Sequence, residues 1–179
     1  MQYRRSKTGG GRYFFTVVTE NRHKIFTNDE TVDLLRQAFY QVMEKRPFVV
    51  DAAVILPDHL HCIWTLPEND NDFPVRWRLI KTWFTKHCGP EHKRHPGTSR
   101  IKRKEQGIWQ RRYWEHLIRD DMDYEHHVHY IHYNQVKHNY CREPAKWPYS
   151  SIHKFIRQGI VARDWGSSGI VLPDTVGHE

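Results

Sequence analysis

Two β-forming runs with only two residues between them constrain this chain most. Phe48 to Leu56 (FVVDAAVIL) and His59 to Leu66 (HLHCIWTL) flank Pro57-Asp58. Both runs are rich in β-branched and other apolar residues. So short a connection returns the chain on itself, which predicts an antiparallel hairpin, mostly buried.

The other elements are read around that hairpin. Tyr13 to Thr19 (YFFTVVT) predicts a strand. Gly9-Gly10-Gly11 before it is a flexible hinge, so residues 1–12 read as a basic arm carrying Arg4, Arg5, Lys7 and Arg12. Thr27-Asn28-Asp29-Glu30 opens a helix whose apolar stripe is Val32, Leu35, Phe39, Val42 and Met43, with Pro47 near its end. A second helix runs from about Pro74 to His87. Val75, Leu79 and Trp83, with Ile80 and Phe84, form its apolar face, and Arg78, Lys81, Thr85 and Lys86 face the other way. Residues 91–107 form a basic polar loop. Ile108 to Arg119 predicts a fourth strand. Asp120 to Asp123 starts the last long helix, acidic at the end its dipole favours. A short helix is expected at Ser150 to Arg157, and residues 159–179 form a tail.

The order β-α-β-β-α-β-α predicts a ferredoxin-like α+β fold, a four-stranded antiparallel sheet with packed helices. At 179 residues, one domain over 13–158 accounts for the folded part, with neither repeat nor second domain.

Charge narrows the partner. The formal net charge is +7, with fourteen histidines besides, and aromatics make up 13% of the chain. That mixture favours an anionic partner and suits nucleic acid. Cys62, Cys88 and Cys141 form no C-x-x-C pair, so neither a disulfide framework nor a cysteine zinc site is indicated, and a reducing cytoplasm fits. The basic start lacks an apolar signal core. No run approaches the roughly 18 apolar residues of a membrane span, so no membrane partner is expected.

The hairpin also carries the candidate chemistry. Strand side chains alternate, so His59 and His61 emerge on one face. By itself H-x-H is a pattern that a histidine-rich chain produces by chance. On the last long helix Tyr130 and Asn134 are spaced i, i+4 and share a face, with Lys137 beside them. Two imidazoles plus an amide oxygen can hold a divalent cation, and imidazole suits Mn²⁺, Co²⁺ or Zn²⁺ better than Mg²⁺. A phenol with a pKa near about 10 needs a base or a cation to attack. The competing reading is that Tyr130 only packs on the sheet. The basic residues Arg12, Arg78, Lys81, Arg100, Lys102, Arg103, Lys104, Arg111 and Arg112 jointly suggest a phosphate-contacting surface, with Trp109, Tyr113 and Trp114 available for base stacking.

Nearly the whole chain resembles the REP-associated tyrosine transposases, a bacterial branch of the HUH single-tyrosine transposases. The resemblance rests on YRR near the start, GRYFFTVVTENR, AVILPDHLHCIWTLPENDNDFPVRWRLIK, IWQRRYWEHLIRDDMDYEHHVHYIHYNQVKH and WPYSSIHKFI. It implies that His59, His61 and Asn134 bind a divalent metal (Mg²⁺ or Mn²⁺) and that Tyr130 is the nucleophile. The implied reaction cleaves single-stranded DNA, leaving a 5′-phosphotyrosine and a free 3′-OH. The implied partner is a REP hairpin, whose foot Arg4 and Arg5 would read. A bacterial, cytoplasmic, nucleoid-associated monomer is expected. Two readings compete with an active transferase: a domesticated REP-hairpin binder with weak or no cleavage, and a metal-dependent hydrolase in which Tyr130 packs. The chain departs from the family where Asn134-Gln135-Val136-Lys137 replaces the frequent Asn-Pro-Val-Lys, which lets the helix run on. The loop at 91–105 looks like an insertion.

Overall fold

β2 (Val49–Ile55) and β3 (His59–Thr65) pair antiparallel around Pro57-Asp58, with Ile55 opposite Leu60. This computed structural model describes residues 10–93, 106–173 and 176. Arg4 and Arg5 of the arm, and Arg100, Lys102, Arg103 and Lys104 of the basic loop, lie outside the described residues. The free edge of β3 takes β1 (Arg12–Val18), and β1 in turn takes β4 (Trp114–Leu117). The sheet order is β2-β3-β1-β4, with every pairing antiparallel. This is the expected α+β architecture.

β3 is buried from His59 to Trp64 because helices cover both faces of the sheet. Alternation then divides the core. Leu60, Cys62 and Trp64, with Tyr13, Phe15 and Val17 from β1, pack against α1 (Asp29–Lys45) and α2 (Phe73–His87). Ile63, with Phe14, Ala52 and Val54, packs against α3 (Asp121–Lys137) and α4 (Ile152–Arg157). His59 and His61 share parity with Ile63, so both face α3.

The first helix follows its sequence signals. Asn28 is the N-cap, its Oδ1 accepting from the Thr31 amide at 3.0 Å, and Val32, Leu35, Ala38 and Val42 are buried. The second helix departs from expectation. Ile80 and Phe84 are buried as expected, but Phe73, Arg76 and Trp77 join them, while Leu79 and Trp83 are only partly buried, so the face is rotated from the one expected. The cause is a buried, satisfied arginine. Arg76 donates to both carboxylate oxygens of Asp70 (2.9 and 2.7 Å) and to the carbonyls of Arg46 (3.2 Å) and Pro47 (2.9 Å). Beside it Trp77 stacks on Trp64, with centroids 4.3 Å apart. A periodicity reading scores arginine as polar and so misplaces the stripe.

The fourth strand is shorter than Ile108 to Arg119. Its first part crosses the end of β1 instead, with the Glu20 amide on the Ile108 carbonyl (2.8 Å) and the Gln110 amide on Val18 (3.0 Å). Ile108 and Trp109 are core residues there. α3 is capped by Asp120, whose side chain accepts from the Asp123 amide at 2.8 Å. It runs to Lys137, and Asn139 turns the chain in the left-handed conformation (φ 59°). Gln135 donates to the carbonyls of His132 (2.7 Å) and Pro144 (3.0 Å) and ties the helix end to the following segment. Val176 of the tail is buried in the α3-side cluster, with Leu172 and Val161 packed beside it. No helix among the described residues is long and apolar enough to cross a membrane.

Removing Arg76 leaves Asp70 and two carbonyls without their donor. Arg76→Ala is expected to lower the unfolding free energy by about 3 kcal/mol in urea titration. Asp70→Asn is expected to cost less, because that carboxylate is partly exposed.

Candidate active site

The two histidines are held differently. On β1, directly opposite His61, stands Thr16, whose Oγ1 lies 2.9 Å from His61 Nδ1. His59 Nδ1 lies 2.6 Å from Asp58 Oδ1. Asp58 also accepts from Arg22 Nη1 at 3.3 Å. Burial pushes the Asp58 carboxyl up, yet the hydrogen bonds and charges of His59 and Arg22 outweigh it and hold the group below its ordinary value. Each imidazole is thus anchored through Nδ1. Nε2 of His59 is buried with no hydrogen-bond partner. The ring centroids are 5.0 Å apart, nearly perpendicular.

α3 supplies the opposing wall. Tyr130 is buried, its ring 5.1 Å from that of His61 and 5.9 Å from that of Phe14. Two turns later the ring of His138 lies 5.1 Å from that of His59. Asn134 sits midway between these contacts on the same helix face, fully buried. Lys137 Nζ donates to Tyr130 Oη at 3.3 Å and lies 4.9 Å from its ring centroid. The structure therefore sets Tyr130 against His61 and His138 against His59, with Asn134 on the same helix face between them, and adds Lys137, Asp58, Arg22 and Thr16.

Signals for these additions differ. Asp58 directly precedes the dyad, and His138 continues the i, i+4 series from Tyr130 and Asn134. Thr16 follows only from strand register. Arg22 leaves no local signal, because it arrives through a left-handed pair, Asn21 (φ 51°) and Arg22 (φ 50°).

A separate group, His116, Asp123 and His127, brings its candidate ligand atoms within 4.8 Å of one another. Burial pushes the Asp123 carboxyl up, but Arg119 and His116 hold it well below the usual carboxylate range. Asp123 Oδ2 accepts from Arg119 N and Nε at 3.0 Å and pairs with His116 Nε2 at 2.8 Å. Its charge is already matched by a guanidinium, so it works as a tie between β4 and the first turn of α3. Phe14 packs against both His127 (4.8 Å) and His61 (5.5 Å).

The basic candidates divide. Arg12, Arg78, Arg111 and Arg112 are exposed, and Arg12 lies over the Tyr124 ring at 4.8 Å. Lys81, expected to contact phosphate, is engaged within the fold. Its ammonium donates to the Gln110 carbonyl at 3.0 Å and faces the rings of Tyr113 (5.3 Å) and Trp109 (5.9 Å). Burial pushes it down to about 8. Lys81 therefore braces α2 against the segment before β4. Trp109 is likewise no stacking platform: it is buried, 5.7 Å from Phe26 and 5.4 Å from Phe84. Tyr113 packs on Phe15 and Trp77, and Trp114 stacks on His116.

His132 fastens α3 to the sheet. Its Nε2 is hydrogen-bonded to Ser151 Oγ at 2.8 Å, and that oxygen accepts from the Ala53 amide at 2.9 Å. Burial pushes His132 down to about 3. Between that value and about 6.5 the unfolded chain binds more protons than the folded one, so stability falls as pH drops through the window. From pH 7 to pH 5 the wild type is expected to lose up to about 2 kcal/mol more than His132→Gln, measured by urea unfolding at each pH.

Comparison with known proteins completes the description. No protein-family model matches the chain. A Haemophilus influenzae protein named as a REP-associated tyrosine transposase is 46% identical over 166 residues, 93% of each chain. The Escherichia coli REP-associated tyrosine transposase is 43% identical over 164 residues, covering 92% of this chain and 90% of its own. A solved structure of a REP-associated tyrosine transposase bound to a REP hairpin superposes with a TM-score of 0.81 at 39% identity, covering 100% of this chain and 98% of that one.

Proposed function

The chain belongs to the REP-associated tyrosine transposases, and from that premise we propose that it binds REP hairpins and cleaves and rejoins single-stranded DNA through Tyr130. The observation that supports the proposal is Tyr130 packed against His61, on the α3 face that also carries Asn134 and turns toward β3. A buried His59 Nε2 without a partner, and a donor set of two imidazoles and an amide oxygen, fit a divalent cation, Mn²⁺ or Mg²⁺. His59, His61 and Asn134 would hold it. When bound, such a cation polarises a phosphate and offsets charge in the transition state.

The chain's own residues supply the rest. The Tyr130 oxygen attacks phosphorus, a phosphotyrosine bond forms, the P–O3′ bond breaks, and the phenolic proton ends formally on the 3′-hydroxyl. Lys137, donating to that phenol oxygen, offsets the negative charge that grows there as the proton leaves. Retaining the bond energy in phosphotyrosine lets a second 3′-hydroxyl reverse the step without ATP. Arg12, Arg78, Arg111 and Arg112 are proposed to contact phosphates, with Lys102, Arg103 and Lys104 of the loop. Arg4 and Arg5 are proposed to read the foot of the hairpin. The working unit is proposed to be a monomer in the cytoplasm, associated with the nucleoid.

One observation favours the second reading, a hairpin binder with weak or no cleavage. Tyr130 is only 1% exposed, so the phenol must be uncovered before DNA reaches it.

A labelled single-stranded REP hairpin, incubated with the protein and Mn²⁺ or Mg²⁺ and run on a denaturing gel, separates the readings. A covalent complex that disappears in Tyr130→Phe supports the transferase. Hairpin binding without cleavage supports the binder. Cleavage surviving in Tyr130→Phe removes the tyrosine from its role. Lys137→Met is expected to slow adduct formation at least about tenfold, roughly 1.4 kcal/mol in the barrier, with hairpin affinity little changed. Neutralising Arg4 and Arg5 together is expected to weaken hairpin binding. It should also flatten the salt dependence by about one unit of slope for each phosphate that the arm neutralises. Unchanged affinity would take the arm out of the interface.

A further inference from the structure

One carboxylate beside the histidine pair is held at both of its oxygens. Asp58 is buried, with Oδ1 on His59 Nδ1 at 2.6 Å and Oδ2 on Arg22 Nη1 at 3.3 Å. Its backbone carbonyl accepts from the Thr19 amide (2.9 Å) and the Thr19 hydroxyl (2.8 Å), so the main chain at Asp58 is fixed as well. Arg22 reaches it from the left-handed pair Asn21–Arg22. That conformation is disfavoured for residues with a side chain, and arginine tolerates it less well than asparagine. The chain thus keeps a costly turn whose product is a guanidinium on Asp58.

The consequence falls on His59. A carboxylate offers only acceptors, so the ring nitrogen facing it must carry the proton. In the neutral ring Nε2 then has the lone pair, and Nε2 is the atom found buried without a partner. His61 is held by a threonine hydroxyl, which donates or accepts equally well and imposes no tautomer. We propose that Asp58 is a positioning residue that locks His59 as the Nδ1–H tautomer, with its Nε2 lone pair presented to a divalent cation, and that Arg22 holds Asp58 in that pose. The pair is asymmetric: His59 is the preset ligand and His61 the adaptable one. This inference rests on the reading of His59 as a metal ligand.

Two measurements on the full chain without DNA test it. In metal-free protein, long-range ¹H–¹⁵N correlation spectra at pH 7.5 should show His59 with a protonated Nδ1 and a bare Nε2. An Nε2–H tautomer overturns the proposal, and no variant has to fold. In calorimetric titration with MnCl₂, Asp58→Ala is expected to raise Kd by about 10- to 100-fold, as loss of an outer-shell partner does at metal-bound histidines. Arg22→Met is expected to give a smaller rise of the same sign. Asp58→Asn, which keeps shape and an acceptor oxygen, is expected to fall between wild type and Asp58→Ala. A wild-type Kd in Asp58→Ala, with His59→Ala losing Mn²⁺ binding, overturns the positioning role and leaves the ligand role standing. Undiminished Mn²⁺ binding in His59→Ala sinks the ligand reading itself.

Discussion

The register between β3 and its two neighbours is the constraint on which the rest of the structure depends. His61 stands opposite Thr16 on one side and Val54 on the other. That pairing puts both histidines on the α3 face and Trp64 on the α1/α2 face. A slip of one residue would exchange the faces. The imidazoles would enter an apolar layer, and Trp64 would lose its stack on Trp77. Pro57-Asp58 sets the register from one end, and a dense aromatic layer of Tyr13, Phe15, Phe48, Trp64, Phe73 and Trp77 holds it from the other face. Burial of large rings is thus what aims the site, although none of those rings belongs to it.

The two faces meet the cost of buried polarity in different ways. On the α1/α2 face the main charged intruder is Arg76, and it is matched by four hydrogen bonds. On the α3 face His59, His61, His127, His132, Asn134 and Gln135 are all buried. Helix α3 therefore has no single apolar stripe. One of its sides meets the sheet, and another meets the segment that carries Pro144, Ser151 and Trp165. Such a helix is specified by hydrogen bonds more than by hydrophobic area. His132 on Ser151, Gln135 on Pro144 and Asp123 on Arg119 each fix a different turn. Tyr130 and Asn134 lie between these ties, so their positions follow from a network that must be complete to be stable.

What the sequence made legible follows the same division. The hairpin, the first helix and the shared face of His59 and His61 are written in local periodicity and capping, and the structure has them. Lys81 and Trp109 are misread because their partners lie far along the chain. Arg76, on neither face in the sequence reading, enters the core because Asp70 and the carbonyls of Arg46 and Pro47 receive it. Lys81 reads as a phosphate contact until the Gln110 carbonyl receives it. Trp109 reads as a stacking platform until Phe26 and Phe84 close over it. Spacing placed Tyr130 and Asn134 on one face, but singling out Tyr130 among neighbouring aromatics and histidines needed the family resemblance. Asp58 stood next to the dyad, yet Arg22 reaches it through a turn that propensity disfavours.

The cations singled out above serve three uses. Arg76 and Lys81 are engaged inside the fold. Lys137 and Arg22 are each bound to a group of the site, the phenol oxygen and the carboxylate behind His59. Among the described residues, the candidate DNA contacts Arg12, Arg78, Arg111 and Arg112 keep their side chains at the surface. A net charge of +7 is a sum over the chain and does not tell which cations face phosphate. It also explains why composition pointed to nucleic acid without locating the interface: charge counts are blind to where each ion is compensated. Lys137 and Arg22 are held against another polar group, where a short fixed distance and partial burial give one charge more influence on its neighbour than several at the rim.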